Sequence, residues 1–307
     1  MTQGSQATII GAGRVGLKLA ELLTTSGGRV RFVDHRPVAE IDPNLIVSDA
    51  IHLTREAKSA IAQSDIVVLS LPFTVAGAAF GSACRWLKGD ALLIETLSVK
   101  TRPASWGVNL PREVEYLGLN PLFSPELGWA NRPVAVIAYR SGPRLEVFLQ
   151  LLRRTNASLV ALDAEAHDRL LAQRQLAAHA LLLSLASILR DENTEFPLEV
   201  GPPPYHLLLA GVGRMLSGAP ETFAEIQTEN PFGATVRLRL IAALERLGGG
   251  GQEVLDHLRC EWSDLAPRLK PAAETCERLF ACPIFPLEMS EYEYRSGECR
   301  LARCDRD

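Results

Sequence analysis

A run of six residues near the start of the chain limits its fold more than any other feature. Gly11-Ala12-Gly13-Arg14-Val15-Gly16 follows the short β-branched run Ala7–Ile10 without a break. It passes straight into Val15, Leu17, Leu19, Leu22 and Leu23, which recur at helical spacing until Gly27-Gly28 stops them. The next strand, Val30–Val33, ends at Asp34. This order of strand, glycine turn, helix, strand and acid has a physical logic. Gly11 permits the tight turn, Gly13 lets the backbone approach a pyrophosphate, and Gly16 allows close contact between helix and strand. The helix N-terminus, at Arg14 and Val15, offers N–H groups and partial positive charge to phosphates. Asp34 can accept hydrogen bonds from an adenosine ribose, and a 2′-phosphate there would meet its charge. The cofactor expected is therefore NAD rather than NADP, with Arg36 as the residue that argues the other way.

More alternation follows. Ile66–Leu71 precedes Pro72, Leu92–Ile94 precedes Glu95, and Glu115–Leu117 and Val134–Ala138 come next. Apolar runs separated by helical patterns predict an α/β fold: a buried parallel sheet with helices on both faces, in a Rossmann-type dinucleotide-binding domain. Ser70-Leu71-Pro72 closes a strand of the kind whose carboxyl end lines the nucleotide crevice, although a plain buried strand explains its apolar residues equally well. After about Leu162 the texture changes. Glu165–Arg190 reads as one long helix, apolar on most of its circumference, and so buried between helices or in a dimer. Pro202-Pro203-Pro204 breaks it from helices over Tyr205–Leu216, Pro220–Glu229, Ala234–Leu247 and Gln252–Leu265. The predicted division is a nucleotide-binding domain over 1–163 and a mostly helical substrate and dimerisation domain over 164–307.

Composition excludes other classes. The 307 residues are 47% hydrophobic and 22% charged with a net charge of −4, which fits a globular chain without an electrostatic footprint for nucleic acid. Only five of the 32 basic residues are Lys. Arginine suits bidentate carboxylate or phosphate recognition, and a GC-rich genome produces the same bias. The start, MTQGSQATIIGAG, does not read as a signal peptide, and the apolar stretch Leu176–Leu189 is too short for a bilayer. A cytoplasmic protein with reduced thiols is expected, with no membrane partner. The six cysteines form no CxxC pair, and no metal site is expected, although five of them crowd the last 50 residues.

Beyond the glycine motif come Glu95-Thr96-Leu97-Ser98-Val99-Lys100, then Gly118-Leu119-Asn120-Pro121-Leu122-Phe123-Ser124-Pro125, then His167-Asp168 and His179-Ala180 within the long helix, then Arg214 and Glu229-Asn230. Together, in this order, they resemble the prephenate and arogenate dehydrogenases of tyrosine biosynthesis. That family shows an acidic residue with Ser-Val-Lys, a Gly-x-His-Pro-Met loop, and a long interdomain helix carrying His-Asp and His-Ala. The resemblance runs from about residue 7 to residue 232. It implies that Ser98 lies near the nicotinamide and the substrate's ring substituent. It implies too that Arg214 holds a substrate carboxylate, and that His179 lines the substrate pocket; a core histidine bonded within its own helix is the alternative. Lys100 reads either as a phosphate or carboxylate contact or as a solvated loop charge. His167 is expected to be structural.

One departure bears on chemistry. Where the family has His-Pro, this chain has Asn120-Pro121. The resemblance makes that histidine the base for the substrate's ring hydroxyl, a task a neutral amide cannot perform. Either the chain is inactive, or another group is the base, or the substrate needs none. The last case fits a 4-amino substrate, whose nitrogen lone pair expels hydride directly. That makes the chain similar to the 4-amino-4-deoxyprephenate dehydrogenases of specialised metabolism, acting on a small cyclohexadiene dicarboxylate as a homodimer, with Ser98, Asn120 and His179 catalytic and Arg214 binding substrate. The alternatives are an ordinary prephenate or arogenate dehydrogenase and a non-catalytic NAD-binding sensor. A β-hydroxyacid dehydrogenase would require a catalytic lysine that Glu165–Arg190 lacks.

Overall fold

A computed structural model describes residues 4–38, 43–191 and 201–281, with the backbone of two further strands. Cys282 and Cys304, in the cysteine-rich tail, lie outside the described residues. An eight-stranded sheet is built from β1 (Gln6–Ile10), β2 (Arg29–Asp34), β3 (Leu45–Val47), β4 (Ile66–Leu69), β5 (Leu92–Glu95), β6 (Glu115–Pro121), β7 (Pro133–Arg140) and β8 (Ser158–Ala161). Its order is β3-β2-β1-β4-β5-β6-β7-β8. The chain steps outward from β1 to β3, then crosses back to β4 on the other side of β1. The carboxyl ends of β1 and β4 therefore flank the point where strand order reverses, the usual crevice for a dinucleotide.

The expected α/β fold is present, but the sheet is not wholly parallel: β7 runs antiparallel to β6, and β8 follows β7. Residues 122–132 hold only a 3-10 turn at Pro125–Leu127, and without a crossover helix the chain can only return alongside itself. The strand β6 also runs on through Gly118-Leu119-Asn120-Pro121, which reads as loop in the sequence.

Alternating strand residues feed two cores. Ile9, Val68, Ile94, Leu117 and Leu119 face α1 (Arg14–Thr25), whose Leu19, Leu22 and Leu23 are buried. Each such leucine contributes roughly 1.5–3 kcal/mol on leaving water. Ile10, Val67, Leu69, Leu93 and Tyr116 face the other way, toward Ala57, Ala60 and Ile61 of α2 (Arg55–Gln63) and Phe80 and Ala83 of α3 (Phe73–Cys84). The short α4 (Thr101–Trp106) follows β5, and α5 (Pro143–Arg154) joins the first core through Phe148, Leu149 and Leu152.

The long helix is α6 (Ala164–Leu171), a π-helical turn over Ala172–Leu176, and α7 (Ala177–Asp191). In the single chain Leu181 and Ile188 of α7 are exposed. Then come α8 (Pro203–Leu216), α9 (Pro220–Glu229), α10 (Gly233–Arg246) and α11 (Gly251–Ala281). The last continues through Pro267 and Pro271, well past the predicted stop at Leu265. A two-stranded antiparallel ribbon, β9 (Tyr292–Arg295) and β10 (Glu298–Leu301), lies in the tail.

The chain forms two compact units. One holds Met1–Arg174 with Glu221–Gly233, and the other Gln175–Pro220 with Ala234–Asp307. No helix among the described residues is long and apolar enough to cross a membrane.

Candidate active site

The glycine loop has the geometry its sequence requires. Gly11 has φ +100°, and a Cβ there would lie 2.1 Å from the carbonyl oxygen of Ser70. The loops after β1 and β4 thus touch, which brings Ser70-Leu71-Pro72 beside the turn. A Cβ on Gly16 would strike Gly11 O at 2.3 Å, whereas one on Gly13 would meet nothing within 4 Å. Gly13 is the N-cap of α1 and brings no side chain to it, so the first-turn N–H groups around Arg14 and Val15 are open to an anion. At the end of β2, Asp34 accepts from Ala12 N at 2.8 Å and from Arg36 N at 3.0 Å, holding the glycine loop against the strand. Arg14 pairs with Glu126 at 3.0 Å, both half exposed. With the hydrogen bond from Ser124 first and Arg14 assisting, the Glu126 carboxyl is held at about 2. An open cradle, a helix N-terminus and a carboxylate at the end of β2 fit a dinucleotide.

Beside this crevice, at the carboxyl edge of β5 and β6, lies a buried polar network of which the sequence shows only parts. Glu95 ends β5, and Lys100 Nζ lies 2.7 Å from its Oε1, both side chains shut away from solvent. Lys100 is therefore neither a solvated charge nor free for a ligand. Its ammonium also donates to Leu119 O at 3.2 Å, while Tyr139 Oη and Leu97 N donate to Glu95. Burial pushes the Glu95 carboxyl up and the Lys100 ammonium down, and the pairing opposes both. Gly118 is required here: a Cβ would come within 2.6 Å of Glu95 Oε1 and 2.7 Å of Tyr139 Oη.

Asp168, on α6, is the second hub. Its Oδ1 accepts from Lys100 N at 2.8 Å and from His167 Nδ1 at 2.7 Å, and its Oδ2 from Thr101 N at 2.8 Å and Thr101 Oγ1 at 2.7 Å. Burial pushes its carboxyl up, but these donors together outweigh burial and leave it lowered. His167, also fully buried, meets Asn120 Nδ2 at 3.1 Å through Nε2. Burial, which outweighs the bond to Asp168, lowers its pKa, so the imidazole is neutral. Asn230, just after α9, donates from Nδ2 to Asp168 O at 2.9 Å, and Glu225 of α9 accepts from Phe73 N at the start of α3.

Asn120 is thus tied to His167, and Ser98 lies half-buried on the loop after β5. His179, on α7, and Arg214, on α8, belong to the other unit. Burial lowers the pKa of His179, and Arg214, exposed, donates to Ser217 Oγ at 2.9 Å. The dyad His167-Asp168 at a helix start was visible in the sequence, but its grip on Asn120 was not. Among the described residues Cys84, Cys260 and Cys276 are free thiols, and no group of three or more His, Cys, Asp or Glu could hold a metal.

Comparisons with known proteins agree with this geometry. Residues 1–89 match the family of D-isomer specific 2-hydroxyacid dehydrogenase, NAD binding domain. Over 248 residues the chain is 33% identical to the 4-amino-4-deoxyprephenate dehydrogenase of Streptomyces pristinaespiralis, covering 80% of this chain and 84% of that one. It is 28% identical to the T-protein of Enterobacter agglomerans, with 70% of this chain matched to 54% of the relative's length. Among solved structures, prephenate dehydrogenase from A. aeolicus, crystallised with hydroxyphenyl propionate and NAD+, superposes with a TM-score of 0.67 at 18% identity, over 90% of this chain and 98% of that one. Fold and site together define an NAD-dependent dehydrogenase. The chain belongs to the prephenate dehydrogenase family, and its activity is of the prephenate/arogenate type.

Proposed function

We propose that this enzyme carries out the oxidative decarboxylation of 4-amino-4-deoxyprephenate to 4-aminophenylpyruvate, with NAD as hydride acceptor. The observation that carries the reading is Asn120: an amide, 5% exposed, at the carboxyl edge of β6, where the family resemblance puts a histidine base. The 33% identical relative, named for that substrate, supports it.

The chemistry needs no base. The C4 nitrogen lone pair expels the C4 hydrogen as hydride and leaves an iminium. The electron pair of the C1–carboxylate bond then flows into the ring as CO2 departs, which neutralises the nitrogen and restores aromaticity. From the substrate bound as the free amine, its ammonium proton having been left to water, no further proton has to be removed, and the neutral Asn120 amide serves as a hydrogen-bond acceptor for the amine. NAD, when bound, supplies the hydride acceptor, with Gly11, Gly13, Arg14, Val15, Gly16, Asp34 and the Ser70-Leu71-Pro72 loop as the residues that hold it. Ser98 orients the reacting ring. From the helical region, Arg214 takes a substrate carboxylate through its guanidinium fork and His179 lines the pocket. Residues 1–163 are the nucleotide-binding domain and 164–307 the substrate and dimerisation domain of a cytoplasmic homodimer.

Purified protein assayed for NADH with prephenate, arogenate and 4-amino-4-deoxyprephenate is expected to turn over the amino compound best. Preference for prephenate or arogenate would make it an ordinary dehydrogenase of tyrosine biosynthesis with a displaced base. Failure on all three would overturn the substrate class.

A further inference from the structure

We infer that the Asp168–His167 dyad is a positioning device for Asn120: it commits the amide nitrogen to the protein and leaves the amide oxygen to face the substrate's C4 substituent. This rests on the substrate reading above and follows from an inventory of donors and acceptors. Asp168 receives four donors, two on each oxygen. Such a carboxylate is ionised and only accepts, so His167 must donate to it from Nδ1. A neutral imidazole carries one N–H, hence Nε2 is bare and only accepts. At 3.1 Å from Nε2, Asn120 can satisfy it with the NH2 end alone.

The polarity of the amide matters more than its shape. With the oxygen outward, Asn120 accepts an N–H of the substrate amine and leaves the nitrogen lone pair free to expel hydride. With the NH2 outward, it would donate into that lone pair and withhold the electrons the reaction uses. The two orientations occupy the same volume and differ only in the tautomer of His167. Because His167 and Asp168 are both fully buried, solvent does not compete for either atom. His167 touches no reacting atom; it acts through Asn120.

Two substitutions separate this role from a structural one. His167→Asn keeps a donor where Nδ1 bonds Asp168 but has nothing to accept from Asn120. His167→Gln keeps an acceptor near the position of Nε2 but loses the bond to Asp168. The expected result is a loss of about tenfold in kcat/KM toward 4-amino-4-deoxyprephenate for His167→Asn, the effect of one reoriented hydrogen bond, with the larger part in kcat. His167→Gln should lose less than about threefold. Equal losses, or the reverse order, would overturn the inference, since a residue that merely anchors Asp168 is better replaced by Asn. Independently of turnover, the 15N signals of His167 in the ligand-free wild-type protein are expected to show Nδ1 protonated and Nε2 bare. The opposite tautomer would overturn the inference even if every variant failed to fold. If the wild type oxidises none of the three substrates, the substrate reading fails while the 15N measurement still decides how Asn120 is turned.

Discussion

At position 120 the difference between an amide and an imidazole is a difference in who supplies the electrons. A hydroxyl substrate must shed a proton as hydride leaves, and a positioned base is worth about 10²–10⁴ in rate. An amine substrate carries its own electron pair. Asn120→His should therefore raise kcat/KM toward prephenate by at least about tenfold and lower it toward the amino compound. Parallel steady-state assays check this, and no gain on prephenate would show that residue 120 does not discriminate. The substitution itself is plain in the sequence. What the sequence hides is that His167, 47 residues away along the chain, holds the Asn120 amide.

Among the elements, β5 and β6 matter most because their carboxyl ends carry the polar network. The Glu95–Lys100 pair sits where water cannot reach it, and breaking such a pair from one side costs roughly 3–5 kcal/mol because the remaining charge is stranded. Lys100→Met should lower unfolding free energy by that order in chemical denaturation, and Lys100→Met with Glu95→Gln should recover most of it. A stable single variant would mean that the two are not paired in the folded protein. Local patterns found β1, α1 and β2 because their periodicity and glycine punctuation act within a dozen residues. They missed the second half of β6 because Gly118, Asn120 and Pro121 have loop propensities, and only contacts with β7, Glu95 and Tyr139 make that stretch a strand. Nor could a local pattern give the direction of β7 or the burial of Lys100, since both are set by residues distant in sequence.

For the whole molecule, α10 and α11 expose Leu238, Ile241, Leu244, Trp262 and Leu269. Apolar side chains in such number along two helices are the kind of surface a second copy covers. A dimer is expected in sedimentation analysis, and a charge introduced at Trp262 should shift it toward monomer. A wild-type monomer would exclude the homodimer proposal.

The return of residues 221–233 to the first unit has an evolutionary corollary. Three stretches of chain, not one, link the two units, and the returning segment brings Glu225 to the start of α3 and Asn230 to Asp168. No single cut in the gene separates the two units. Recombination that swapped the first 174 residues alone would leave α3 without its cap and Asp168 without its clasp. Exchange of one half alone would have to rebuild both contacts, whereas a point substitution, as at position 120, leaves them in place.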